Sequence, residues 1–192
     1  MEVVNRYIEL ATNLISSGGI FYGFILILIE SFIPILPLGV FIALNVSAYG
    51  MIKGIIISWI ATCIGCFLSY SFFYYLSNKF TYKLFSKSKK KKIEKAVEKI
   101  GKIPFPNLVL LIALPFTPAF LINIVCGISK ISRKKFIAAI IIGKIFMIIF
   151  WSYIGKSLIE SMTDINTIII ISIMLVVAYG ISKFVSKKIN IE

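Results

Sequence analysis

The sequence predicts an all-α integral membrane protein, and three features carry that prediction. First, the 192-residue chain is 59% hydrophobic and 15% charged, whereas about a quarter of an average soluble domain is charged. Second, residues 54–78 and 165–182 contain no charged side chain, and a helix crosses a bilayer with about 20 apolar residues. Third, a pair of prolines interrupts each of two further apolar stretches.

The proline pairs are Pro34 with Pro37 and Pro115 with Pro118. A proline removes a backbone donor and clashes with the preceding turn, so two prolines three positions apart break a helix. Inside a bilayer, broken backbone is tolerated only where it is buried in protein or lines a wet cavity. Paired broken segments in matching halves of a chain are typical of a transport site near the membrane midplane.

The two halves of the chain match at a constant offset of 81 positions. At this offset the two proline pairs align with each other, and Lys53 aligns with Lys134. In each half a broken apolar segment is followed by a basic turn and a spanning helix. Because one crossing separates the halves, we expect an inverted repeat with two re-entrant helical hairpins and about three full transmembrane helices.

The whole chain, residues 1–192, is predicted to be a single membrane domain. Its parts, in order, are an N-terminal amphipathic helix (1–17), a first repeat (20–78), a basic amphipathic helix (79–102), a second repeat (107–158) and a last transmembrane helix (165–183). Within the first repeat, a turn is predicted over residues 45–50, where the apolar pattern ends.

The distribution of charge predicts the orientation of the chain. Ten of the 21 basic residues lie between Lys79 and Lys102, and membrane proteins keep such clusters on the cytoplasmic side. We therefore expect a multi-pass plasma-membrane protein with residues 79–102 and the C-terminus in the cytoplasm. A re-entrant second hairpin keeps residues 133–135 on that side, whereas a spanning segment would place them outside. Symmetry predicts that the first hairpin enters from the opposite face; the location of the N-terminus stays open.

Some basic residues are also candidates for contact with anionic lipid headgroups. They are Lys89, Lys90, Lys91, Lys92, Arg133, Lys134 and Lys135. The alternative is that they serve only as a topology signal. The expected partners are membrane lipids, and the sequence leaves a homo-oligomer open. Nucleic acid is not expected, because no nucleic-acid-binding fold or aromatic platform accompanies the lysines.

Several chemistries are not expected from this composition. The chain has no histidine and only scattered carboxylates, so we predict neither a metal site nor a cofactor. It lacks a Ser/His or paired-Asp constellation for an intramembrane enzyme, so no enzymatic activity is expected. Cys63 and Cys66 have CxxC spacing, but within an uncharged apolar run, which favours helix packing over redox chemistry.

Glu30 is the residue that the sequence marks most clearly, because it lies within an apolar run four positions before Pro34. A carboxylate at membrane depth costs about a few kcal/mol, so it is expected to face a cavity or a partner. Glu30 is thus a candidate proton carrier, and a structural cap is the alternative. Lys144 is the basic residue well inside a spanning segment; it either pairs with Glu30 or extends its head to the interface.

Three further polar residues, Asn45, Thr117 and Asn123, complete a candidate substrate and proton pathway with Glu30 and Lys144. Their alternative role is to bond backbone groups that the breaks leave unpaired. Two glycines, Gly39 and Gly127, are expected to allow close helix contact near the breaks. The two tryptophans are expected to face lipid or the membrane interface.

At these residues the chain resembles the VTT-domain superfamily, which includes bacterial DedA proteins and eukaryotic vacuole membrane proteins. The resemblance covers roughly residues 20–158. It lies in residues 30–39 with Asn45, residues 115–118, residues 123–129, Gly143-Lys144 and residues 152–155, the last two of which are similar to the bacterial TVP-type branch. The resemblance implies two membrane-re-entrant hairpins around a polar cavity. It also implies movement of phospholipid or a polyprenyl phosphate between leaflets, with proton coupling.

The chain departs from this family at one position. Many relatives place an arginine about three residues before the position of Pro115, where this chain has Ile112. An arginine is well suited to clamp a lipid phosphate. Its absence weakens the polyprenyl-phosphate expectation and leaves Lys144 or the helix N-termini to bind an anion.

The sequence therefore predicts a transporter or scramblase that moves lipid between leaflets, with Glu30 as its protonatable gate. One alternative is a proton-coupled transporter for a small solute or ion that uses the same cavity. Another is a membrane scaffold that recruits partners through residues 79–102. The sequence sets neither the substrate, the coupling ion nor the direction of transport.

Overall fold

The computed structural model describes residues 12–13, 17–32, 38–77, 97–117, 119–160 and 165–188. Several predictions from the sequence lie outside these residues. They concern most of the helix over residues 1–17, most of the basic helix over 79–102 with its proposed scaffold role, and the residues Pro34, Pro37, Pro118, Lys89, Lys90, Lys91 and Lys92.

Seven helices of nine or more residues form the described part of the chain, which contains no strand. They are α1 (Gly19–Phe32), α2 (Leu38–Tyr49), α3 (Met51–Leu76), α4 (Phe105–Ala113), α5 (Ala119–Ile128), α6 (Arg133–Glu160) and α7 (Ile165–Lys188). Three of them, α3, α6 and α7, are long and apolar enough to cross a membrane. Within the described residues the predicted all-α class is confirmed, and three long apolar helices lie where the sequence predicts spanning helices.

Helices α1 and α2 form an antiparallel pair, which we call hairpin 1. The Tyr49 hydroxyl donates to the Gly19 carbonyl over 2.7 Å, and Asn45 Nδ2 donates to the Gly23 carbonyl over 3.3 Å. As the residue number rises by four along α1, from Gly19 to Gly23, the number of the bonded residue on α2 falls by four, from Tyr49 to Asn45. The beginning of α1 and the end of α2 therefore lie together at one end of the hairpin.

The turn predicted over residues 45–50 is wrong, because α2 continues as a helix to Tyr49. Asn45 is fully buried within that helix, and its amide bonds across the hairpin instead of turning the chain. The turn is made by Gly50, whose φ of 79° is open to glycine without the clash that a Cβ would cause.

Helices α4 and α5 form the corresponding hairpin 2, with residues 114–118 between them. Helix α4 has a proline in its first turn, where the missing N–H would have no helical partner in any case. Gly101 lies against Ser129, since a Cβ at Gly101 would be 3.8 Å from the Ser129 Cβ. The two ends of hairpin 2 are therefore also close together, although α4 packs mainly on α6 and α5 on α3.

The long helices α3 and α6 cross the centre of the molecule in opposite directions. Trp59 Nε1 donates to the Ile141 carbonyl over 3.1 Å. Further along α3, the Tyr70 ring stacks on Phe136, with 4.3 Å between ring centroids. As the residue number rises along α3, it falls along α6, so the two helices are antiparallel.

Two of the helix contacts in the first half recur in the second half at the 81-residue offset. Helix α1 packs on α3 as α4 packs on α6, and α5 packs on α3 as α2 packs on α6. A Cβ on Gly65 would meet the Leu28 carbonyl at 2.8 Å, and one on Gly143 would meet the Val109 carbonyl at 2.9 Å. Leu28 and Val109 are 81 positions apart. Equivalent positions on α1 and α4 are therefore each contacted by a glycine, from α3 and α6 respectively.

Candidate functional site

The tips of the two hairpins meet at a cavity of about 500 Å³ between α3 and α6. We call it the tip cavity. Hairpin 1 contributes Glu30, Ser31, Leu38 and Gly39; hairpin 2 contributes Pro115, Phe116, Thr117, Ala119, Phe120 and Leu121; the long helices contribute Cys66, Lys144, Met147 and Trp151. Residues that flank both interruptions of the apolar pattern therefore border one cavity.

Two opposite charges line this largely apolar cavity. Glu30 is 6% exposed and Lys144 is 1% exposed, and no other described lining residue is charged. The Lys144 ammonium lies 3.6 Å from Met147 Sδ, which is a weak acceptor. Its burial argues against the alternative in which the lysine head reaches the membrane interface. The structure brings Glu30 and Lys144 to the same cavity, and a direct pair between them stays a prediction.

Two hydroxyl groups add polarity to the cavity. Ser31 and Thr117 both line it, one from the end of α1 and one from the break in hairpin 2. Their side-chain oxygens are buried and have no hydrogen-bond partner within the described part of the chain. An unpaired hydroxyl in an apolar surrounding costs free energy, so both are available to bond a polar ligand.

Two helix N-termini also border the tip cavity. Helices α2 and α5 begin at Leu38 and Ala119, and both residues line it. The first amides of a helix have no partner within the helix and carry a partial positive charge. Together with the Lys144 ammonium, these N-termini favour an anionic group in the cavity.

The predicted pathway residues Asn45 and Asn123 are not among the residues that line the cavity. Asn45 Nδ2 bonds the Gly23 carbonyl and lies 3.2 Å from Ser58 Oγ, so it joins α1, α2 and α3. Asn123 is 2% exposed on α5. The structure thus brings together three of the five predicted pathway residues, Glu30, Thr117 and Lys144, and leaves the two asparagines apart from them.

The two glycines near the breaks lie against large neighbours. A Cβ on Gly39 would come within 2.6 Å of the Trp151 ring. A Cβ on Gly127 would come within 2.6 Å of the Tyr70 carbonyl oxygen, so α5 approaches the backbone of α3 closely. Gly39 thereby places the indole of Trp151 at the cavity wall.

Several cavity residues are not predicted by the sequence reasoning. Trp151, expected to face lipid, instead lines the cavity and contacts Phe116, with 5.9 Å between ring centroids. No periodicity distinguishes this tryptophan from an interfacial one. Met147 follows Lys144 by three positions, which places both on one helix face, so its presence beside the lysine could have been predicted from spacing.

The basic residues at the beginning of α6 have protein partners. The Arg133 guanidinium lies 5.2 Å from the Tyr74 ring centroid and 5.3 Å from that of Tyr75, and Lys135 donates to the Ile103 carbonyl. These contacts join α6 to α3 and to the beginning of α4. Lys134 is exposed, and lipid contact by any of these three basic residues stays a prediction.

Comparison with known proteins gives one family. A sequence model of the VTT domain matches residues 14–157. The protein named uncharacterized membrane protein YhjE, from Bacillus subtilis (strain 168), is 34% identical over 167 residues, which cover 86% of this chain and 79% of YhjE. The uncharacterized protein YqeD of the same organism is 28% identical over 137 residues, which cover 68% of this chain and 64% of YqeD. No solved structure matches the chain.

Proposed function

Because the chain belongs to the VTT domain family of membrane proteins, we propose that it moves a lipid between the two leaflets of its membrane. The lipid headgroup passes through the tip cavity while its hydrocarbon chains stay in the bilayer. The observation that carries this proposal is the convergence of both hairpin tips, with Glu30 and Lys144, on one cavity of about 500 Å³.

The proposed path requires the hairpins to enter the membrane from opposite faces. With a rise of about 1.5 Å per residue, the 14-residue α1 is about 21 Å long and the nine-residue α4 about 14 Å, less than the ~30 Å of a hydrocarbon core. Each hairpin therefore reaches only part of the way across. The meeting of both ends of each hairpin supports a re-entrant arrangement.

The contacts with α3 support an inverted arrangement of the two hairpins. A Cβ on Gly54, near the beginning of α3, would meet the Val46 Cα of hairpin 1 at 2.6 Å. Gly127 of hairpin 2 meets Tyr70, near the other end of α3. The open ends of the hairpins thus lie toward opposite ends of a spanning helix, as an inverted repeat requires.

The charges suggest how a proton controls access to the cavity. With Glu30 ionised, its charge offsets that of Lys144, and an anionic headgroup gains little from entering. When Glu30 is protonated, the Lys144 ammonium and the N-termini of α2 and α5 leave the cavity positive. A phosphate then enters favourably, so Glu30 acts as the protonatable gate.

The remaining features of the proposal follow the charge distribution. Residues 79–102 and the C-terminus face the cytoplasm, and the membrane is the plasma membrane. The partners are lipids, and no bond is made or broken, so the chain is a transporter or scramblase rather than an enzyme.

The experiment that tests this function is a leaflet-exchange assay on purified protein in vesicles that contain phosphatidylglycerol with a fluorescent headgroup label. We expect the wild-type protein to exchange the lipid faster at lower pH, and Glu30→Gln to remove this pH dependence. The matched control is Glu98→Gln, because the Glu98 side chain is 73% exposed and pairs with Lys102. A wild-type protein that moves no labelled lipid at any pH or proton gradient contradicts the proposal.

A proton-coupled transporter for a small solute is the second candidate, and the size of the tip cavity favours it. A volume of about 500 Å³ is that of a small-molecule site, for which about 300–1,000 Å³ is usual. If Glu30→Gln abolishes uptake of a solute and leaves lipid exchange unchanged, the result favours solute transport over lipid transport.

A further inference from the structure

A second cavity of about 420 Å³ lies beside the first, between hairpin 2, α6 and α7. It is bordered by Ala113–Pro115, by Phe146 and Phe150 of α6, and by one face of α7 from Ile173 to Ile181. No described lining residue has a polar side chain. We call this cavity the lateral groove.

The lateral groove and the tip cavity are adjacent at the break in hairpin 2, because Pro115 lines both. Phe116 and Trp151 line the tip cavity, and Phe150 lines the groove. The Phe150 and Trp151 rings meet edge to face with 5.5 Å between centroids, and Phe116 meets Tyr179 of α7 at 5.9 Å. A row of aromatic rings therefore separates a charged compartment from an apolar one.

We propose that the lateral groove binds a hydrocarbon chain of the lipid whose headgroup occupies the tip cavity. This inference rests on the proposed function and specifies its substrate class as an anionic amphiphile. An apolar chain gains free energy from apolar surroundings, whereas the headgroup needs the Lys144 ammonium and the free hydroxyls. Adjacent compartments of opposite polarity fit the two ends of one such molecule.

Phe116 is placed to form the boundary between headgroup and chain. Its side chain is 37% exposed, and it lies between α4 and α5, outside the regular hydrogen bonding of either helix. The ring is therefore held mainly by its contacts with Trp151 and Tyr179. Rotation of this ring would connect the two compartments without moving a helix.

The packing of α7 fits an occupant that enters from the side. Helix α7 contacts α6 and, more weakly, α4, and most of its large apolar side chains are exposed. Its groove-lining face includes Val177, whereas the adjacent Val176 does not line the groove and is 70% exposed. These two valines provide a matched pair for a test.

The test uses Trp151 as a reporter in a Trp59→Phe background, where it is the single tryptophan. The protein is placed in vesicles of phosphatidylglycerol with brominated acyl chains, which quench a nearby indole. We expect Val177→Phe, which fills the groove, to reduce quenching of Trp151 at least twofold, and Val176→Phe to leave it unchanged. Ala113→Phe fills the groove from the opposite wall and should act like Val177→Phe.

Quenching that neither Val177→Phe nor Ala113→Phe reduces would overturn the proposal. So would a change in oligomer size on Val177→Phe, because the groove would then hold a second copy of the chain. Quenching of Trp151 can be measured without transport. A wild-type protein that exchanges no lipid would therefore refute the proposed function, and the quenching result would still test the groove. If both groove-filled variants exchange lipid at the wild-type rate, the groove does not bind the chain of the transported lipid, and the proposed function itself is unaffected.

Discussion

A buried ammonium such as Lys144 is costly wherever it is surrounded by apolar side chains. Its head has a thioether neighbour at 3.6 Å, a poor substitute for the water it gives up. A charge at membrane depth costs about a few kcal/mol, and this cost is reasonable only if the charge has a use. The use we assign is attraction of an anionic headgroup.

Replacing Lys144 with methionine is therefore expected to separate stability from transport. In a Glu30→Gln background, Lys144→Met should leave the unfolding temperature in detergent unchanged or higher, because a buried charge is removed and no opposite charge is left alone. Exchange of phosphatidylglycerol should fall at least tenfold, while any exchange of a zwitterionic lipid changes less. Lys156→Met, at an exposed position on the same helix, is the control and should alter neither. A variant that loses stability and keeps transport would show that the lysine is structural.

Single residues differed in how well the sequence predicted them. Glu30 and Lys144 could be found because a charge within an apolar run has few explanations. The position of Trp151 could not, since an aromatic side chain in a spanning helix suits lipid and cavity equally. The environment of Asn45 depends on the register between α1 and α2, which no local pattern contains.

The α3–α5 contact depends on a glycine. A Cβ on Gly127 would lie 2.6 Å from a backbone oxygen and 3.0 Å from a backbone nitrogen of α3, atoms that cannot rotate away. Gly127→Ala should therefore push α5 off α3 and destabilise the protein by about 1–3 kcal/mol, seen as a lower unfolding temperature. Gly180→Ala is the control, because no heavy atom lies within 4 Å of its added methyl group. Equal unfolding temperatures for the two variants would contradict this account.

Asn45 joins three helices through one side chain, and we expect its loss to affect folding more than chemistry. Asn45→Ala leaves the Gly23 carbonyl and Ser58 hydroxyl without their amide donor, at a cost of about 1–3 kcal/mol. Thermal unfolding measures this cost, with Asn107→Ala on the exposed beginning of α4 as the control. If Asn45→Ala instead keeps full stability and alters lipid exchange, the residue belongs to the pathway.

At the scale of helices, hydropathy predicted the spanning segments well. The predicted last helix and the observed α7 both begin at residue 165, because an uncharged apolar run has few alternatives to a helix. The end of α2 was not predicted, since Asn45, Ser47 and Gly50 suggest a turn by composition. Packing against α1 and α3 overrides that local preference.

The whole molecule should have opposite topologies in its two halves. In a background with Cys63, Cys66 and Cys126 replaced by alanine, we expect Lys53→Cys, at an exposed position near the beginning of α3, to react with an impermeant maleimide from outside the cell. Lys130→Cys, between α5 and α6, should react only from the cytoplasmic side of inverted vesicles. Reaction of both from the same side would exclude hairpins that enter from opposite faces.

The inverted plan was predicted from the 81-residue offset, and the same offset reappears in the helix bounds. Helices α2 and α5 begin 81 positions apart, as α1 and α4 end 81 positions apart. The offset could predict which helices correspond but not how they pack. Helices α1 and α2 contact each other, whereas α4 and α5 pack mainly on different long helices, and this difference depends on side-chain fit that the repeat does not encode.

Helix α7 has no apolar equivalent at that offset, where residues 84–107 are rich in lysine. One flank of the molecule thus has an additional long apolar helix that the offset does not match. In vesicles of uniform composition the inward and outward fluxes of lipid must be equal, so we expect this asymmetry to appear only when a proton gradient drives exchange. Under such a gradient, the helix without a counterpart would make net transport faster for one direction of the gradient than for the other.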